Sequence, residues 1–352
     1  MTFVAALAGL FHGVTVQGGT PVIQQSSEVE TSDTLVGGAL PSNAATAACG
    51  ECCSSCPWRV WTSAVFLTRN GCSDLPLAYG DPGTPKGSQV FGTGDLDFGF
   101  GWGPAVGATY RLNSCNRLGV EFYAIDSWSS TGQVMGNYSV QFPSLPYLPE
   151  PTTPGDPTSG YGVATFHYDS RLYNTELNFY HHSTRARWLT LLAGFRWMEL
   201  GEDFSTVFDT GDISPRYAIN VYNHLYGAQL GMLTELPNPT AWELDGWLKA
   251  GLYGNRANQD TSEDFTSAGG VVTHAAARDS NVAFVGDLGI SAKRAITDRL
   301  SFRVSYMALW IEGIALAPEQ LDNSDPSSAI VSLDNGGGTF YHGGFVGGEY
   351  RW

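Results

Sequence analysis

Phe340-Tyr341-His342-Gly343-Gly344-Phe345-Val346-Gly347-Gly348-Glu349-Tyr350-Arg351-Trp352 alternates along its length. Phe340, Val346, Tyr350 and Trp352 fall on one face, and Tyr341, Glu349 and Arg351 on the other. A two-residue period places successive side chains on opposite faces of a strand. A soluble edge strand ending on a bare Trp invites pairing with other chains. A strand that closes a barrel in a bilayer does not, because its neighbours use every backbone group and its outward aromatics sit at the membrane interface. The stretch therefore predicts the closing strand of a transmembrane β-barrel.

Composition agrees. The chain has 352 residues, of which 15% are charged and 12% aromatic, with 43 Gly. Typical soluble domains carry about 25% charged residues. Mean hydropathy is near zero, the average expected when half of each strand meets lipid and half a polar lumen. No run approaches the roughly 18–20 apolar residues of a membrane-spanning helix. Lys and Arg number 18 against 34 Asp and Glu, a net charge of −16. Nucleic acid is thereby excluded as a partner, since phosphate binding needs a basic face. Residues 1–19 read either as a signal-peptide remnant, with Val4 to Phe11 as its apolar core, or as a disordered leader. Residues 20–56 are rich in Ser, Thr, Gly and Ala without a period and read as a disordered linker. Residues 57–352 read as the barrel.

From Trp58 onward about ten alternating segments follow. In the second, Phe98, Phe100, Trp102, Val106 and Tyr110 oppose Asp97, Gly101, Gly103, Gly107 and Arg111. The third sets Leu118, Val120 and Phe122 against Gly119, Glu121 and Tyr123. In the fourth, Tyr173, Leu177 and Phe179 oppose Asn174, Glu176 and Asn178. The fifth opposes Leu191, Phe195 and Trp197 to Thr190, Gly194 and Arg196. The sixth places Tyr226, Leu230 and Met232 opposite Gly227, Gln229 and Gly231. The seventh has Trp242, Leu244 and Leu248 against Glu243, Asp245 and Lys249. The eighth sets Val282, Leu288 and Ile290 against Asp287 and Lys293, and the ninth Phe302, Tyr306 and Trp310 against Ser301, Arg303 and Ser305. The first, from Val60 to Arg69, has two apolar faces, so its lipid-facing side is not decided.

The connections alternate in length. Those near residues 113–116, 183–185, 237–240 and 296–298 are tight, while those centred near 80, 150, 208, 266 and 325 are long. Short turns on one side and long loops on the other mark a bacterial outer-membrane barrel, with the short side periplasmic. An even strand count then places the linker and the C-terminus in the periplasm. A soluble β-sandwich would share the apolar faces but not the alternation of loop lengths.

Three stretches resemble the bacterial family named putative beta-barrel porin seven: Arg171-Leu172-Tyr173-Asn174-Thr175-Glu176-Leu177-Asn178, Leu192-Ala193-Gly194-Phe195-Arg196-Trp197-Met198-Glu199-Leu200, and Tyr222-Asn223-His224-Leu225-Tyr226-Gly227-Ala228-Gln229-Leu230-Gly231. The ninth and tenth segments resemble it too, and the likeness spans about residues 57–352. It implies an outer-membrane barrel and a pore role, with no catalytic residues to carry over.

Lumen size decides what such a barrel does. Eight strands give an interior that side chains fill, and 16–18 leave a water channel. Ten lie near the filled end, and twelve, if loops add strands, would favour a small channel. The expected lumen charges nearly balance: Asp97, Glu121, Glu176, Glu243, Asp245, Asp287 and Glu349 against Arg111, Arg196, Lys249, Lys293, Arg303 and Arg351. Buried in a narrow barrel they should form paired networks. The expected lipid-facing or interface set is Phe98, Phe100, Trp102, Phe122, Phe179, Trp197, Trp242, Phe302, Tyr306, Trp310, Tyr350 and Trp352.

The long loops carry the acidic excess: Glu202, Asp203, Asp209 and Asp212, then Asp260, Glu263, Asp264 and Asp279, then Glu319, Asp322, Asp325 and Asp334. They read as a solvated acidic rim, with Ca²⁺ binding as the other reading. Cys49, Cys52, Cys53 and Cys56 precede the first strand, and Cys115 lies in a turn on the same side. Disulfides are the favoured reading in an oxidising periplasm, neither linkage nor metal is the second, and a metal is the last. His181-His182 lies beside a short turn, away from the outer rim, and no cofactor is implied. The expected function is a porin-like barrel with at most a narrow channel for small solutes. The alternatives are a non-conducting interaction barrel tethered to an envelope partner through its cysteines and, less favoured, a barrel enzyme. Its expected partners are the lipid bilayer, lipopolysaccharide and the outer-membrane assembly machinery that reads the last strand.

Overall fold

The computed structural model describes residues 57–70, 75–80, 89–136, 138–140, 162–209, 211, 214–238, 240–326 and 330–352. The described residues belong to one compact unit. The expectations for residues 1–56 lie outside the described residues.

Ten antiparallel strands close a ring: β1 (Trp58–Arg69), β2 (Gly101–Arg111), β3 (Asn116–Met135), β4 (Val163–His182), β5 (Leu189–Asp209), β6 (Arg216–Leu236), β7 (Glu243–Asp264), β8 (Val272–Ala295), β9 (Leu300–Ile314) and β10 (Gly337–Arg351). Each pairs with its sequence neighbour, and β1 pairs with β10 from Arg59 opposite Arg351 to Arg69 opposite Tyr341. Trp58 and Trp352 exchange two backbone hydrogen bonds of 3.2 Å at the seam. Closure leaves no edge, which an all-strand structure in hydrocarbon requires. The strand count is ten, not twelve. The short strands Pro76–Gly80, Gln89–Gly92 and Tyr138–Val140 form a separate sheet, and Ser324–Asp325 pairs with Ile330–Val331 apart from the ring.

The register also settles the first strand. Val65, Leu67 and Arg69 are buried inside, while Phe66 is 41% exposed outside. In β3 the pairing with β4 shifts between Ile125 and Trp128, so that both point inward across the bulge. A bulge places two residues opposite one and resets the phase of the alternation.

The connections near residues 208 and 266, expected as long loops, are mostly strand. β5 runs 21 residues and β7 runs 22, whereas about 9–11 cross a bilayer. Along these strands the faces exchange character. At the short-turn end of β4 the inner face carries Asn174, Glu176 and Asn178, and the outer face carries Leu177 and Phe179. Further along, the inner face carries Ala164, Phe166, Tyr168 and Leu172, and the outer face His167 and Asp169. β6 repeats this. Gln229 lies inside and Leu230 outside, then Ile219, Val221 and Leu225 lie inside with Asn220 and Tyr222 outside. The short-turn half thus has an apolar exterior and a polar interior, and the hairpin half has the reverse.

The acidic rim is corrected accordingly. Glu202, Asp203 and Asp209 belong to β5, Asp260, Glu263 and Asp264 to β7, and Asp279 to β8. Glu202 is buried inside, and Asp212 lies outside the described residues.

β9, β10, β1 and β2 span only 11–15 residues. Where that side of the wall is low, the chain after β9 folds inward. Ala315, Leu316 and Ala317 are fully buried, followed by a 3₁₀ turn at Pro318–Asn323. Phe204, fully buried, packs against the rings of Phe166 and Tyr168 in this half. Phe204→Ala is expected to lower unfolding stability by about 3–5 kcal/mol. Asp260→Ala, on the exposed outer face, should stay within about 0.5 kcal/mol. Urea unfolding of the refolded protein in lipid checks both.

Candidate functional site

The interior carries polar constellations at three heights. At mid-lumen four charged side chains from four strands meet. Arg196 on β5 bridges Glu176 on β4 and Asp287 on β8, and its Nε donates to Glu176 Oε1 at 3.0 Å. Lys249 on β7 donates to both Glu176 oxygens at 2.9 Å and lies 3.4 Å from Asp287. Further hydrogen bonds reach both carboxylates. Asn178 and Gln229 donate to Glu176 at 2.9 and 2.8 Å, and Trp247 Nε1 donates to Asp287 at 2.9 Å. Tyr253 donates to Gln229 at 3.3 Å. The alternation of each strand turns these residues inward, and two cations against two carboxylates leave no net charge. Removing charges from water is offset only when pairing and hydrogen bonding are this complete.

Nearer the hairpin end Arg69 pairs with Glu202, both side chains being fully buried. Its other donors reach Thr339 Oγ1 at 3.1 Å, Ser170 Oγ at 2.8 Å and Tyr168 OH at 3.1 Å. Tyr168 OH and the Ala317 backbone N–H donate to Glu202 at 2.9 and 2.8 Å. Asn223 holds Ala315 by two further bonds, 2.7 and 2.9 Å, and Tyr217 OH donates to the Ser324 carbonyl at 2.9 Å. These bonds anchor the inward-folded segment across the barrel.

At the short-turn end lies a cavity of about 710 Å³. Beyond it the interior narrows to spaces of about 150 Å³ and then 90 Å³, the last lined by Trp61, Tyr123 and the mid-lumen network.

Of the residues singled out in the sequence, Glu176, Arg196, Lys249 and Asp287 form the mid-lumen network. Glu121 accepts from Tyr180 OH at 3.1 Å, and the Arg303 guanidinium lies 5.4 Å from the Trp61 ring centre. Around the mouth, Lys293 pairs with Asp245 at 3.1 Å and Glu243 at 3.5 Å, Arg351 pairs with Glu349 at 2.9 Å, and Arg111 lines the large cavity. Two assignments are corrected. Asp97 is exposed and outside any strand, and Phe98 is 2% exposed, covered by Tyr168 and Arg69. The strand begins only at Gly101, so residues 96–100 are unpaired and turn Phe98 in over the barrel end. Phe100 and Trp102 are 68% and 63% exposed. Phe122, Phe179, Trp197, Phe302, Tyr306, Trp310 and Tyr350 lie on the outer face, Trp242 packs edge-on to Phe302, and Trp352 stacks on Trp58.

Arg59, Arg69 and Arg117 were not singled out, and Glu202 was expected on the acidic rim rather than inside the barrel. Arg59 and Arg69 share the odd face of the first segment, and charge is costly against lipid, so that face could have been recognised as internal. His181 bonds Asn116 at 2.8 Å and His182 bonds Thr190 at 3.1 Å, both beside short turns. Cys115 is disulfide-bonded. Cys49, Cys52, Cys53 and Cys56 lie outside the described residues.

Comparison with known proteins matches residues 118–332 to the family described as putative beta barrel porin-7. No curated protein sequence matches the chain. Similar solved structures include the outer membrane protease OmpT from Escherichia coli, at 11% identity and TM-score 0.46, covering 84% of this chain and 96% of that one. The translocator domain of autotransporter NalP from Neisseria meningitidis gives 12% identity and 0.38, covering 84% and 89%. The toluene transporter TbuX from Ralstonia pickettii gives 9% and 0.32, covering 84% and 89%.

Removing Arg196 strands two buried carboxylates beside one lysine. Arg196→Met should therefore cost about 3–5 kcal/mol of stability. Adding Glu176→Gln, which leaves Lys249 facing Asp287 alone, should recover part of that loss. Urea unfolding of the three proteins in lipid gives the comparison.

Proposed function

The chain belongs to the putative beta barrel porin-7 family, and from that premise we propose an outer-membrane barrel whose own lumen is closed to solutes. The chain is a bacterial outer-membrane β-barrel of the porin type. Its exposed apolar band, including Trp102, Val120, Leu177, Leu230, Leu252 and Tyr306, is the surface suited to lipid. The single observation that carries closure is the mid-lumen network. Four interlocked side chains from β4, β5, β7 and β8 cross the interior where it narrows to about 90 Å³. That space holds a few waters, not a hydrated organic solute. In this reading the barrel has no catalytic role. It presents its tall hairpin half outside the cell, and the short turns face the periplasm.

Planar-bilayer recording of the refolded protein tests closure. The wild type should give no steps above background, whereas Glu176→Ala combined with Arg196→Ala should give small ones. Porin-sized steps from the wild type would overturn the reading.

The cysteine reading joins this topology. We propose that Cys115 bonds one of Cys49, Cys52, Cys53 or Cys56 and so ties the linker to the periplasmic mouth. Its disulfide-bonded state supports this. Reduction should shift wild-type mobility on gels, and Cys115→Ser should abolish most of that shift. An identical shift in the variant would count against the bond.

A further inference from the structure

We propose that the cavity at the short-turn mouth is a binding site for a small soluble anion carrying two or more negative charges, of the phosphate or phosphate-ester class. The strand register builds it. Arg351 on β10 lies opposite Arg59 on β1, and Arg111 on β2 lies opposite Arg117 on β3. Arg59 is opposite Thr109, two residues from Arg111 on the same face. Four guanidiniums thus stand side by side on the inner faces of four adjacent strands, and all four line the cavity of about 710 Å³. Arg187 and Lys293 line it too, in a chain whose net charge is −16.

Like charges directly opposite each other on paired strands are destabilising, so this arc needs counter-charge. The protein supplies part of it. Glu349 takes Arg351 at 2.9 Å, and Asp245 takes Lys293 at 3.1 Å. Glu243 lies 3.5 Å from Lys293 and 3.8 Å from Arg351. Among the described residues Arg59 and Arg117 have neither an ion pair nor a side-chain hydrogen bond. Both are partly shielded from solvent. The mid-lumen network, with two cations and two carboxylates, is complete in itself and offers them nothing. The arc therefore presents two uncommitted guanidinium forks within a concave space of ligand size. A guanidinium fork matches the oxygens of a phosphate bidentately, and the carboxylates that line the cavity, Glu235, Glu243 and Asp245, form no ion pair with Arg59 or Arg117. The site lies within the strand wall and opens at the turns, so its ligand arrives from the aqueous phase rather than from a bilayer headgroup. This inference does not depend on whether the lumen conducts.

Calorimetric titration of inorganic pyrophosphate into the full-length refolded protein, in zwitterionic detergent at constant ionic strength, tests the site. Saturable binding at one site per chain is expected. Arg59→Gln with Arg117→Gln should weaken it at least about tenfold, the factor that one charge-assisted hydrogen bond supports. Arg256→Gln, on the exposed outer face of β7, should leave it unchanged. Arg59→Lys with Arg117→Lys keeps the charge and the fold but loses the fork, and should fall between. Heat-modifiable mobility establishes that each variant is folded. Absence of saturable heat with the wild type would overturn the proposal, as would full affinity in the folded Arg59→Gln, Arg117→Gln protein. Competition by vesicles containing phosphatidylglycerol, with no effect from vesicles of neutral lipid, would overturn the assignment to a soluble anion.

Discussion

The backbone has no alternative partner inside a hydrocarbon layer, and everything else in this molecule follows from that. Each N–H and C=O must find another strand, and a last strand must find the first. The seam between β1 and β10 meets this requirement, from the paired Trp58 and Trp352 to Arg69 beside Tyr341. Once the ring is closed, a side chain has two directions open to it, and the two-residue period assigns them in turn. Side-chain chemistry then needs only to agree with the solvent on each side.

That agreement changes along the strand because the solvent changes. Beside lipid, Leu177, Leu230 and Leu252 face out, and charge is kept to the interior. Beyond the lipid the exterior is water, and the interior can pack as any soluble core does. Phe166, Phe204, Ile219 and Val221 occupy the inside positions which, nearer the short turns of the same strands, Glu176, Arg196 and Gln229 hold. The same strands therefore form two barrels end to end, one sorted for a membrane and one for water. The apolar half closes by burial, with Leu316 and its neighbours folded in. The polar half is crossed by paired charges.

This inversion explains what could be read from the chain. The ten strands were legible, because alternation persists through each of them. So were the inward positions of Glu176, Arg196, Lys249 and Asp287, which sit where charge can only face inward. The strand extents were not, because a search for apolar-out and polar-in stops where the rule reverses. Glu202 and Asp260 consequently read as loop acids. Arg69 and Glu202 were missed for a related reason: their partnership spans 133 positions of the chain and exists only once β1 and β5 face each other across the ring. Phe98 failed differently. It keeps the period of the strand that follows, but no partner strand extends to it, so nothing held it on the outer face.

The distribution of charge carries the argument one step further. A lumen has to neutralise what it buries, and at mid-lumen the four ions pair with one another while Asn178, Gln229 and Trp247 add hydrogen bonds to the two carboxylates. The same economy is not applied at the mouth. There the wall places Arg59 against Arg351 and Arg111 against Arg117, although Gln or Ser would line a wet cavity without repulsion. A fold able to complete one network and leaving the next with two uncommitted guanidiniums is arranged for an anion that it does not itself provide. Attraction at the rim is independent of conduction at the centre, because a solute held at the mouth has no need of a path through the middle.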